Sequence, residues 1–352
     1  MPKVSVMMPA YNVEKYIGEA IESILNQTFQ DYELIIIDDG SVDATYQIMQ
    51  EYAQKSNKIR VFQNEKNEGL VFTRNRLLEL ANGEYLAALD SDDISLLDRL
   101  EKQVNFLDKN PDIDLLGGGL EFFRENSDEK NYLLFLTDPE QIACKLLFHN
   151  MFTQTAIIFR NKVKNLKYDN HPLAEDYDLW VRISWQGKVT NLRDILALCR
   201  LHPESISARR DDDMKKNDRL IHIKQLRRLG ITPTEKELDI HRKIAHQIDT
   251  MTEEQFEQAI NWIQKLLKAN QENQKYPLLA FEKELHSRLL SFFPFSFQFG
   301  DVFIKALKKT EIKYLLPFKT RFKFWFLAKS KGKNSSMFYK NLYKTYNKLR
   351  NK

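Results

Sequence analysis

The stretch Tyr85-Leu-Ala-Ala-Leu-Asp90-Ser91-Asp92-Asp93 is the most informative part of the sequence, because it joins a short apolar run directly to three carboxylates. The run follows Asn82-Gly83, which is typical of a buried strand that begins after a turn and ends in a loop. Grouped carboxylates at the end of a buried strand are costly unless positive charge neutralises them, and Mg²⁺ or Mn²⁺ prefers such oxygen ligands. The structural alternative is that Asp92 or Asp93 caps the N-terminus of a following helix. The spacing alone does not decide, because Asp-x-Asp recurs at Asp112–Asp114, Asp176–Asp178 and Asp211–Asp213.

The rest of the N-terminal half repeats the order strand, loop, helix, which predicts an α/β fold with a mostly parallel sheet flanked by helices. Ligands bind at the carboxyl ends of the strands in such sheets. The predicted strands are Val4–Met8, Leu34–Ile37, Ile59–Phe62, Tyr85–Leu89 and, as a fifth, Ile113–Leu116. The predicted helices run through Ile17–Leu25, Thr45–Tyr52 and Leu70–Leu80. The polar residues expected to meet at one edge are Tyr11, Asp38, Asp39, Asn67 and Asp90 to Asp93.

Two common classes of nucleotide-binding protein do not fit this sequence. No Gly-x-Gly-x-x-Gly follows the first strand, and no Gly-x-x-x-x-Gly-Lys-Ser/Thr occurs anywhere. The run Gly117-Gly118-Gly119 is expected to follow the fifth strand and has the wrong spacing for a phosphate loop. The pattern therefore argues against a dinucleotide oxidoreductase and a P-loop hydrolase. If a nucleotide binds, we expect a metal ion rather than a glycine-rich loop to hold its phosphates.

Taken together, the motifs resemble the inverting glycosyltransferases of family 2, which have the GT-A (Rossmann-like) fold. The resemblance covers roughly residues 1 to 210 in the family's order. Its motifs are Val4-Ser-Val-Met-Met-Pro9-Ala10-Tyr11-Asn12, Asp38-Asp39-Gly40-Ser41, Asn67-x-Gly69 with Arg74-Asn75, Gly83-Glu84-Tyr85, Asp90-Ser91-Asp92-Asp93, Ala174-Glu175-Asp176-Tyr177-Asp178-Leu179-Trp180 and Arg200-Leu201-His202-Pro203-x-x-Ile206-Ser207.

The resemblance implies a nucleotide-sugar donor at the strand-end loops. Tyr11 would stack on the nucleobase, and Asp39 would accept a hydrogen bond from it, for which a uracil N–H is the natural partner. Asp90 would bond the ribose, while Asp92 would bind the metal, Mn²⁺ or Mg²⁺; Asp93 would cap the next helix. The implied donor-binding residues are Pro9, Ala10, Tyr11, Asp39, Asn67, Gly69, Arg74, Asp90, Ser91 and Asp92. Arg74 could pair with the pyrophosphate or with the strand-end acids.

The same resemblance places the acceptor and the base later in the chain. Asp176 would take the proton from the attacking hydroxyl. Because adjacent helical residues point about 100° apart, only one of the pair can face the sugar, and Glu175 would orient the acceptor or a neighbouring base. Trp180 would form a platform for the acceptor sugar, although packing in the core is the commoner role of such a tryptophan. The alternative for the two acids is a helix start that favours negative charge. His202 would be a late metal ligand, and an imidazole beside carboxylate and diphosphate suits Mn²⁺.

Length and composition set the organisation of the 352 residues. A GT-A domain is expected at 1–215, with a nucleotide-sugar-binding half at 1–117 and an acceptor-binding half at 118–215. A helical extension at 216–300 should include a capping box at Thr252-Glu-Glu-Gln255. Two cysteines indicate a reducing compartment, and we expect neither a signal peptide nor a transmembrane helix.

Residues 301–352 form a basic, aromatic tail. They contain 15 Lys and Arg against 2 acidic residues, while the whole chain has a net charge of only +4. Phe318, Phe322, Trp325 and Phe326 alternate with basic residues, which favours a helix on an anionic membrane surface. The alternative is a solvated charged face whose aromatic side chains pack on the catalytic domain. Nucleic acid is not expected as a partner, because nothing upstream supports it.

These observations predict a metal-dependent inverting glycosyltransferase that extends a cell-surface glycan such as lipopolysaccharide or capsule. The donor would be a UDP-sugar, with UDP-N-acetylglucosamine as one candidate, and the acceptor a glycan or lipid-linked glycan. The enzyme would work in the cytoplasm, peripherally on the inner face of a bacterial cytoplasmic membrane. One alternative is a nucleotidyltransferase acting on sugar phosphates, which would need a Gly- and Arg/Lys-rich loop after the first strand. Another is an inactive glycan- or membrane-binding module.

Overall fold

The computed structural model describes residues 1–125, 127, 129–169, 174–202, 211–246, 251–291 and 305. Its N-terminal half is a parallel sheet in the order β3-β2-β1-β4, with helices in the connections. The elements are β1 (Val4–Ala10), α1 (Ile17–Leu25), β2 (Tyr32–Asp38), α2 (Thr45–Lys55), β3 (Ile59–Gln63), α3 (Leu70–Leu80) and β4 (Tyr85–Ala88). The predicted repetition of strand, loop and helix is confirmed for these elements.

The sheet continues beyond β4 but changes direction. One further strand, β8, runs antiparallel to both β4 and β6, while β6 and β9 are parallel to each other. The elements are β5 (Ile94–Ser95), α4 (Arg99–Lys109), β6 (Ile113–Phe123), β7 (Asn131–Leu133), α5 (Pro139–Lys145), β8 (Ile158–Arg160), α6 (Glu175–Ser184) and β9 (Lys188–Arg200). The expected α/β fold is therefore present, with a parallel first half and a mixed second half.

Apolar side chains cover both faces of this sheet. Met7, Ile35 and Leu86 belong to one core cluster, whereas the neighbouring residues Ile36 and Ala87 belong to the cluster on the other face. Successive side chains of a strand point to opposite faces, so most positions of a strand between two cores are apolar. This explains the unbroken apolar runs of the sequence.

The glycine run differs from the expectation, because it lies inside β6 rather than after it. A Cβ atom on Gly117 would meet the side chain of Asn191, and one on Gly118 would meet Leu196, both on the adjacent β9. The glycines therefore allow side chains of β9 to approach the backbone of β6. The predicted strand Ile113–Leu116 ended too early, because the three glycines that follow it are typical of a loop.

The segment after the acidic loop, Asp90-Ser91-Asp92-Asp93, also differs from the expectation. Residues Ile94–Ser95 form the short strand β5, which pairs with β9, and α4 begins only at Arg99 with Asp98 at its N-cap. The carboxylate of Asp93 instead accepts a hydrogen bond from the backbone N–H of Arg200 at 2.9 Å. The predicted capping role of Asp93 is therefore wrong.

The C-terminal part of the described chain is helical. Its elements are α7 (Asp211–Arg228), α8 (Glu235–Ala245), α9 (Glu253–Asn273) and α10 (Leu278–Ser291). The capping box predicted at Thr252 and Gln255 is confirmed at the start of α9. The chain divides into two compact units, 1–233 with 275–280 and 234–274 with 281–352.

The prediction of a membrane-binding tail falls on residues 301–352, which lie outside the described residues except for Lys305. The expected boundary at 215 falls within α7, which belongs to the first compact unit. None of the helices in the described ranges is both long and apolar enough to cross a bilayer.

Candidate active site

The loops that follow β1 and β2 hold the first predicted donor residues. Pro9 and Ala10 are buried at the end of β1, and the Ala10 carbonyl accepts a hydrogen bond from the Asp39 backbone N–H at 2.8 Å. The Tyr11 side chain, next in the chain, is 45% exposed. An exposed aromatic ring beside a buried strand end is available to stack on a ligand.

The Asp39 carboxylate organises the loop before α3. It accepts hydrogen bonds from Asn64 Nδ2 at 2.6 Å and from the backbone N–H groups of Glu68 and Gly69 at 3.0 and 2.9 Å. Gly69 has a φ of +94°, a conformation that glycine adopts easily, and Asn67 is exposed in the same loop. Asp39 thus has a structural task, and its contact with a nucleobase stays a prediction.

Asp38 stabilises the turn that follows β2. Its carboxylate accepts hydrogen bonds from the Ser41 N–H and from Gln63 Nε2. The side chain is fully buried. It therefore shapes the loop after β2 and is not available to a ligand.

Arg74 of α3 links the two halves of the candidate site. Its Nη1 donates to Glu175 Oε1 at 2.5 Å, and its Nη2 donates to Asp90 Oδ1 at 3.2 Å. The arginine side chain is 7% exposed, and the two carboxylates hold its pKa above the usual value although burial opposes this. The pairing of Arg74 with strand-end acids is thus present, and it brings the acidic loop and the start of α6 together.

The acidic loop after β4 places Asp92 against His202. The Asp90 backbone N–H donates to Thr155 Oγ1 at 3.2 Å, and Ser91 is buried. Asp92 Oδ2 lies 3.0 Å from His202 Nε2, although the two residues are 110 positions apart in the sequence. The structure thus brings together the two residues predicted as metal ligands.

The separation of this pair fits a divalent metal ion. Two ligands on adjacent corners of an octahedron, each about 2.1 Å from Mg²⁺ or a similar ion, lie about 3.0 Å apart. Within the described ranges, no group of three or more His, Cys, Asp or Glu side chains is arranged to hold a metal. Two protein ligands are enough where phosphate oxygens and water complete the coordination shell, as is usual for Mg²⁺ with phosphorylated substrates.

The two acids at the start of α6 have different surroundings. Glu175 is 3% exposed and paired with Arg74. Asp176 accepts hydrogen bonds from the Tyr177 backbone N–H at 2.6 Å and from Asn150 Nδ2 at 3.3 Å. Burial, and next the negative charge of Glu175, raises the pKa of Asp176 to about 7. A carboxylate with such a pKa is suited to accept a proton near neutral pH.

Trp180 is not an acceptor platform in this structure. Its side chain is fully buried and packs against Phe152, Phe159 and Tyr168, with ring centroids 6.5, 6.0 and 6.3 Å away. Trp180 lies one turn after Asp176 on α6, and its side chain lies in the core rather than at the candidate site. The predicted acceptor-binding role of Trp180 is therefore wrong.

Sequence reasoning missed three residues that contact the site. Asn150 donates to Asp176, Thr155 accepts from the Asp90 backbone, and Arg200 contacts the acidic loop. Asn150 and Thr155 follow no strand-end pattern, so the sequence contained no signal for them. Arg200 stood within the quoted motif around His202 and could have been weighed there.

Comparison with known proteins shows the family to which the chain belongs. Residues 5–167 match the family described as glycosyl transferase family 2. Over 212 residues, 59% of this chain and 76% of the relative, the chain is 35% identical to the putative glycosyltransferase EpsE of Bacillus subtilis. It is 31% identical over 219 residues, 60% of this chain and 83% of the relative, to UDP-Glc:alpha-D-GlcNAc-diphosphoundecaprenol beta-1,3-glucosyltransferase WfgD of Escherichia coli.

A solved structure shows the same fold. Residues 1–349 of S. aureus TarS in complex with UDP-GlcNAc superpose with a TM-score of 0.56 and 22% identity, covering 93% of this chain and 91% of that one. The chain belongs to glycosyltransferase family 2. Its α/β fold brings several acids, Arg74 and His202 together.

Proposed function

We propose that the protein is a metal-dependent inverting glycosyltransferase that transfers a sugar from a UDP-sugar to a hydroxyl of a growing cell-surface glycan. The observation that carries the proposal is the convergence of the Asp92–His202 pair and the Asp176 carboxylate, which Arg74 connects through Asp90 and Glu175. The Asp92–His202 pair would hold the departing diphosphate through a metal ion, and Asp176 would activate the acceptor.

Asp92 and His202 would hold Mn²⁺ or Mg²⁺ together with the diphosphate of the donor. When bound, such an ion would supply positive charge where negative charge develops as the sugar–phosphate bond breaks. Asp90 would accept from the ribose, and Tyr11 would stack on the base. Pro9, Ala10, Asn67, Gly69 and Ser91 would line the remainder of the donor site.

Asp176 would act as the general base. Its carboxylate would take the proton of the acceptor hydroxyl while that oxygen attacks the anomeric carbon from the face opposite the diphosphate. A single displacement of this kind inverts the anomeric centre. Glu175 would hold Arg74, and through it Asp90, so that base and donor loop keep a fixed relation.

The choice of donor and acceptor rests on the relatives. WfgD is named for a UDP-Glc donor and a diphosphoundecaprenol-linked acceptor, and TarS was solved with UDP-GlcNAc. A UDP-sugar, UDP-N-acetylglucosamine among them, and a glycan or lipid-linked glycan are therefore the proposed substrates. The enzyme would work peripherally at the inner face of the cytoplasmic membrane, with the basic residues 301–352 at anionic lipid.

A donor screen tests this proposal. The full chain is incubated with Mn²⁺ and one nucleotide sugar at a time, and release of the nucleoside diphosphate and of free sugar is followed by chromatography and proton NMR. Release of UDP with an inverted anomeric configuration of the sugar is the expected result, and Asp176→Asn should slow this release by about 10²- to 10⁴-fold. Retention of configuration, or release only from GDP- or CDP-sugars, would contradict the proposed mechanism or donor.

A further inference from the structure

Arg200, the last residue of β9, holds the acidic loop at two points. Its backbone N–H donates to Asp93 Oδ1 at 2.9 Å, and its Nε donates to the Asp92 carbonyl oxygen at 3.1 Å. His202 lies only two residues further along the chain. One residue therefore ties the loop that carries Asp92 to the strand end that carries His202.

The Arg200 guanidinium is itself fixed from several directions. Its side chain is 3% exposed, and it donates through Nη2 to Glu19 at 2.5 Å and through Nη1 to Glu125 at 2.7 Å. The ring centroids of Tyr16 and Phe123 lie 4.8 and 4.7 Å from the guanidinium carbon. A buried cation with this many partners has little freedom to move, and a lysine could not reproduce the three directed N–H groups.

Tyr16 extends this arrangement to the histidine. The centroid of its ring lies 4.8 Å from the centroid of the His202 ring, with the planes tilted by 44°. The same tyrosine therefore contacts both the guanidinium and the imidazole. The His202 side chain is 10% exposed, so the ring has few alternative orientations.

We propose that Arg200 is a positioning residue that sets Asp92 and His202 in metal-binding geometry before the ion arrives, with Tyr16 supporting the imidazole. This inference rests on the proposed function, because the ion is part of it. Without Arg200, Mn²⁺ binding would have to order the two ligands itself.

The test is the Mn²⁺ affinity of Arg200→Lys, with UDP present at a saturating concentration. Free Mn²⁺ is followed by its electron paramagnetic resonance signal during a titration of the full chain. Residues that orient metal ligands typically contribute a factor of about 10 to 100 in metal affinity. We expect Arg200→Lys to weaken Mn²⁺ binding by that factor and Tyr16→Leu to weaken it by about tenfold.

Arg160→Lys is the matched control. Arg160 also donates to several backbone carbonyls, those of Leu107, Asn110 and Ile113, and its guanidinium lies over the Tyr85 ring. It pairs with Tyr85 at the start of β4, the end of that strand opposite to the acidic loop. This variant should lower the melting temperature while the Mn²⁺ affinity of the folded protein stays within twofold of the wild type.

Four results of these titrations would exclude the positioning role of Arg200. If Arg200→Lys folds and binds Mn²⁺ as the wild type does, or if Arg160→Lys weakens Mn²⁺ binding equally, the positioning role is wrong. Should Arg200→Lys fail to fold, Tyr16→Leu decides, and an unchanged Mn²⁺ affinity in that variant overturns the inference. A wild type that binds UDP but no Mn²⁺ would overturn the metal in the proposed function and the inference with it.

Discussion

At the scale of single residues, the chemistry of the site depends on which carboxylates are buried beside which cations. Glu175 and Asp90 share Arg74, whereas in the described part of the chain Asp176 accepts hydrogen bonds from Asn150 and from the Tyr177 backbone. Burial and the charge of Glu175 then raise the pKa of Asp176. Two adjacent acids thus have different tasks because their surroundings differ.

The first prediction concerns Asp176→Asn. Removal of a general base typically lowers kcat by about 10²- to 10⁴-fold, and UDP binding should be unchanged because the donor residues stay in place. In the wild type, kcat/KM should fall as the pH decreases through about 7, since the protonated carboxyl cannot accept the acceptor proton. Steady-state rates between pH 5.5 and 9 measure both effects. Asp178→Asn, which removes a carboxylate paired with Arg182 and Lys224, should leave the pH inflection in place.

The raised pKa of Asp176 also predicts the pH dependence of stability. Between its ordinary value of 3.8 and about 7, the folded protein holds a proton that the unfolded chain has lost. The contribution of this residue to the free energy of unfolding should therefore decrease as the pH rises through that window. Urea unfolding of wild type and Asp176→Asn at several pH values tests this. If the difference between the two proteins is independent of pH, the pKa is not raised.

The Trp180 side chain gives a prediction that separates packing from substrate binding. Trp180→Ala should lower the free energy of unfolding by about 3–5 kcal/mol, the usual cost of removing a large buried aromatic side chain. Trp180→Phe should keep most of the stability and leave the KM for the acceptor unchanged. Urea unfolding and acceptor kinetics measure the two quantities. An increase in acceptor KM in a stable Trp180→Phe variant would restore the platform interpretation.

The limits of sequence reasoning differ from residue to residue. Asp92 and His202 were placed together only through the family resemblance, because no spacing rule joins residues 110 positions apart. Trp180 was misassigned since a tryptophan one turn after a candidate base has the same sequence pattern whether it faces a ligand or the core. Asn150 acts through a loop contact that no local pattern announces.

At the scale of elements, the glycine run of β6 shows how close packing overrides a turn signal. Asn191 of β9 donates to the backbone carbonyls of Leu136 and Met151, and Gly117 leaves room for its side chain. Met151 follows Asn150, the residue that donates to Asp176. The glycines therefore help to hold the loop beside the candidate base.

Substitution within this run should destabilise the sheet. Gly118→Val places atoms where Leu196 lies, and overpacking of this kind costs about 1–3 kcal/mol. Gly18→Ala in α1 is the control, because its added Cβ would meet only ordinary contacts with Tyr52 and alanine favours a helix. Thermal unfolding by calorimetry compares the two variants with the wild type. A Gly118→Val variant as stable as Gly18→Ala would show that β6 and β9 are not closely packed there.

Local patterns predicted the elements that depend on local residues. The bounds of α3 were predicted as Leu70–Leu80 and are the same in the structure, where the helix begins directly after Gly69, whose φ is positive. Strand β5 was missed, since two residues become a strand only by pairing with β9, about 100 positions later. Element boundaries set by distant partners cannot be derived from their own residues.

At the scale of the whole molecule, the chain separates acidic and basic regions. Residues 301–352 have an excess of 13 positive charges within a chain whose net charge is +4. Replacing Lys319, Arg321 and Lys323 by Gln should weaken binding to anionic vesicles by about 10²-fold, since each basic residue near such a surface contributes about 1 kcal/mol. Vesicle co-sedimentation of the full chain measures the change. Gln at the exposed Lys15, Lys55 and Lys109 is the control, and an equal loss there would contradict a specific role of the tail.

The most direct test of the account is calorimetric binding of UDP to the full chain with and without Mn²⁺. If Asp92 and His202 hold a metal ion at the diphosphate, Mn²⁺ should strengthen UDP binding in the wild type and should have no effect in Asp92→Asn. Asp112→Asn, in which the first residue of another Asp-x-Asp pair loses an exposed ion pair with Lys188, should behave as the wild type. Absence of UDP binding, or binding that is equal with and without Mn²⁺, would contradict the proposed metal-dependent donor site.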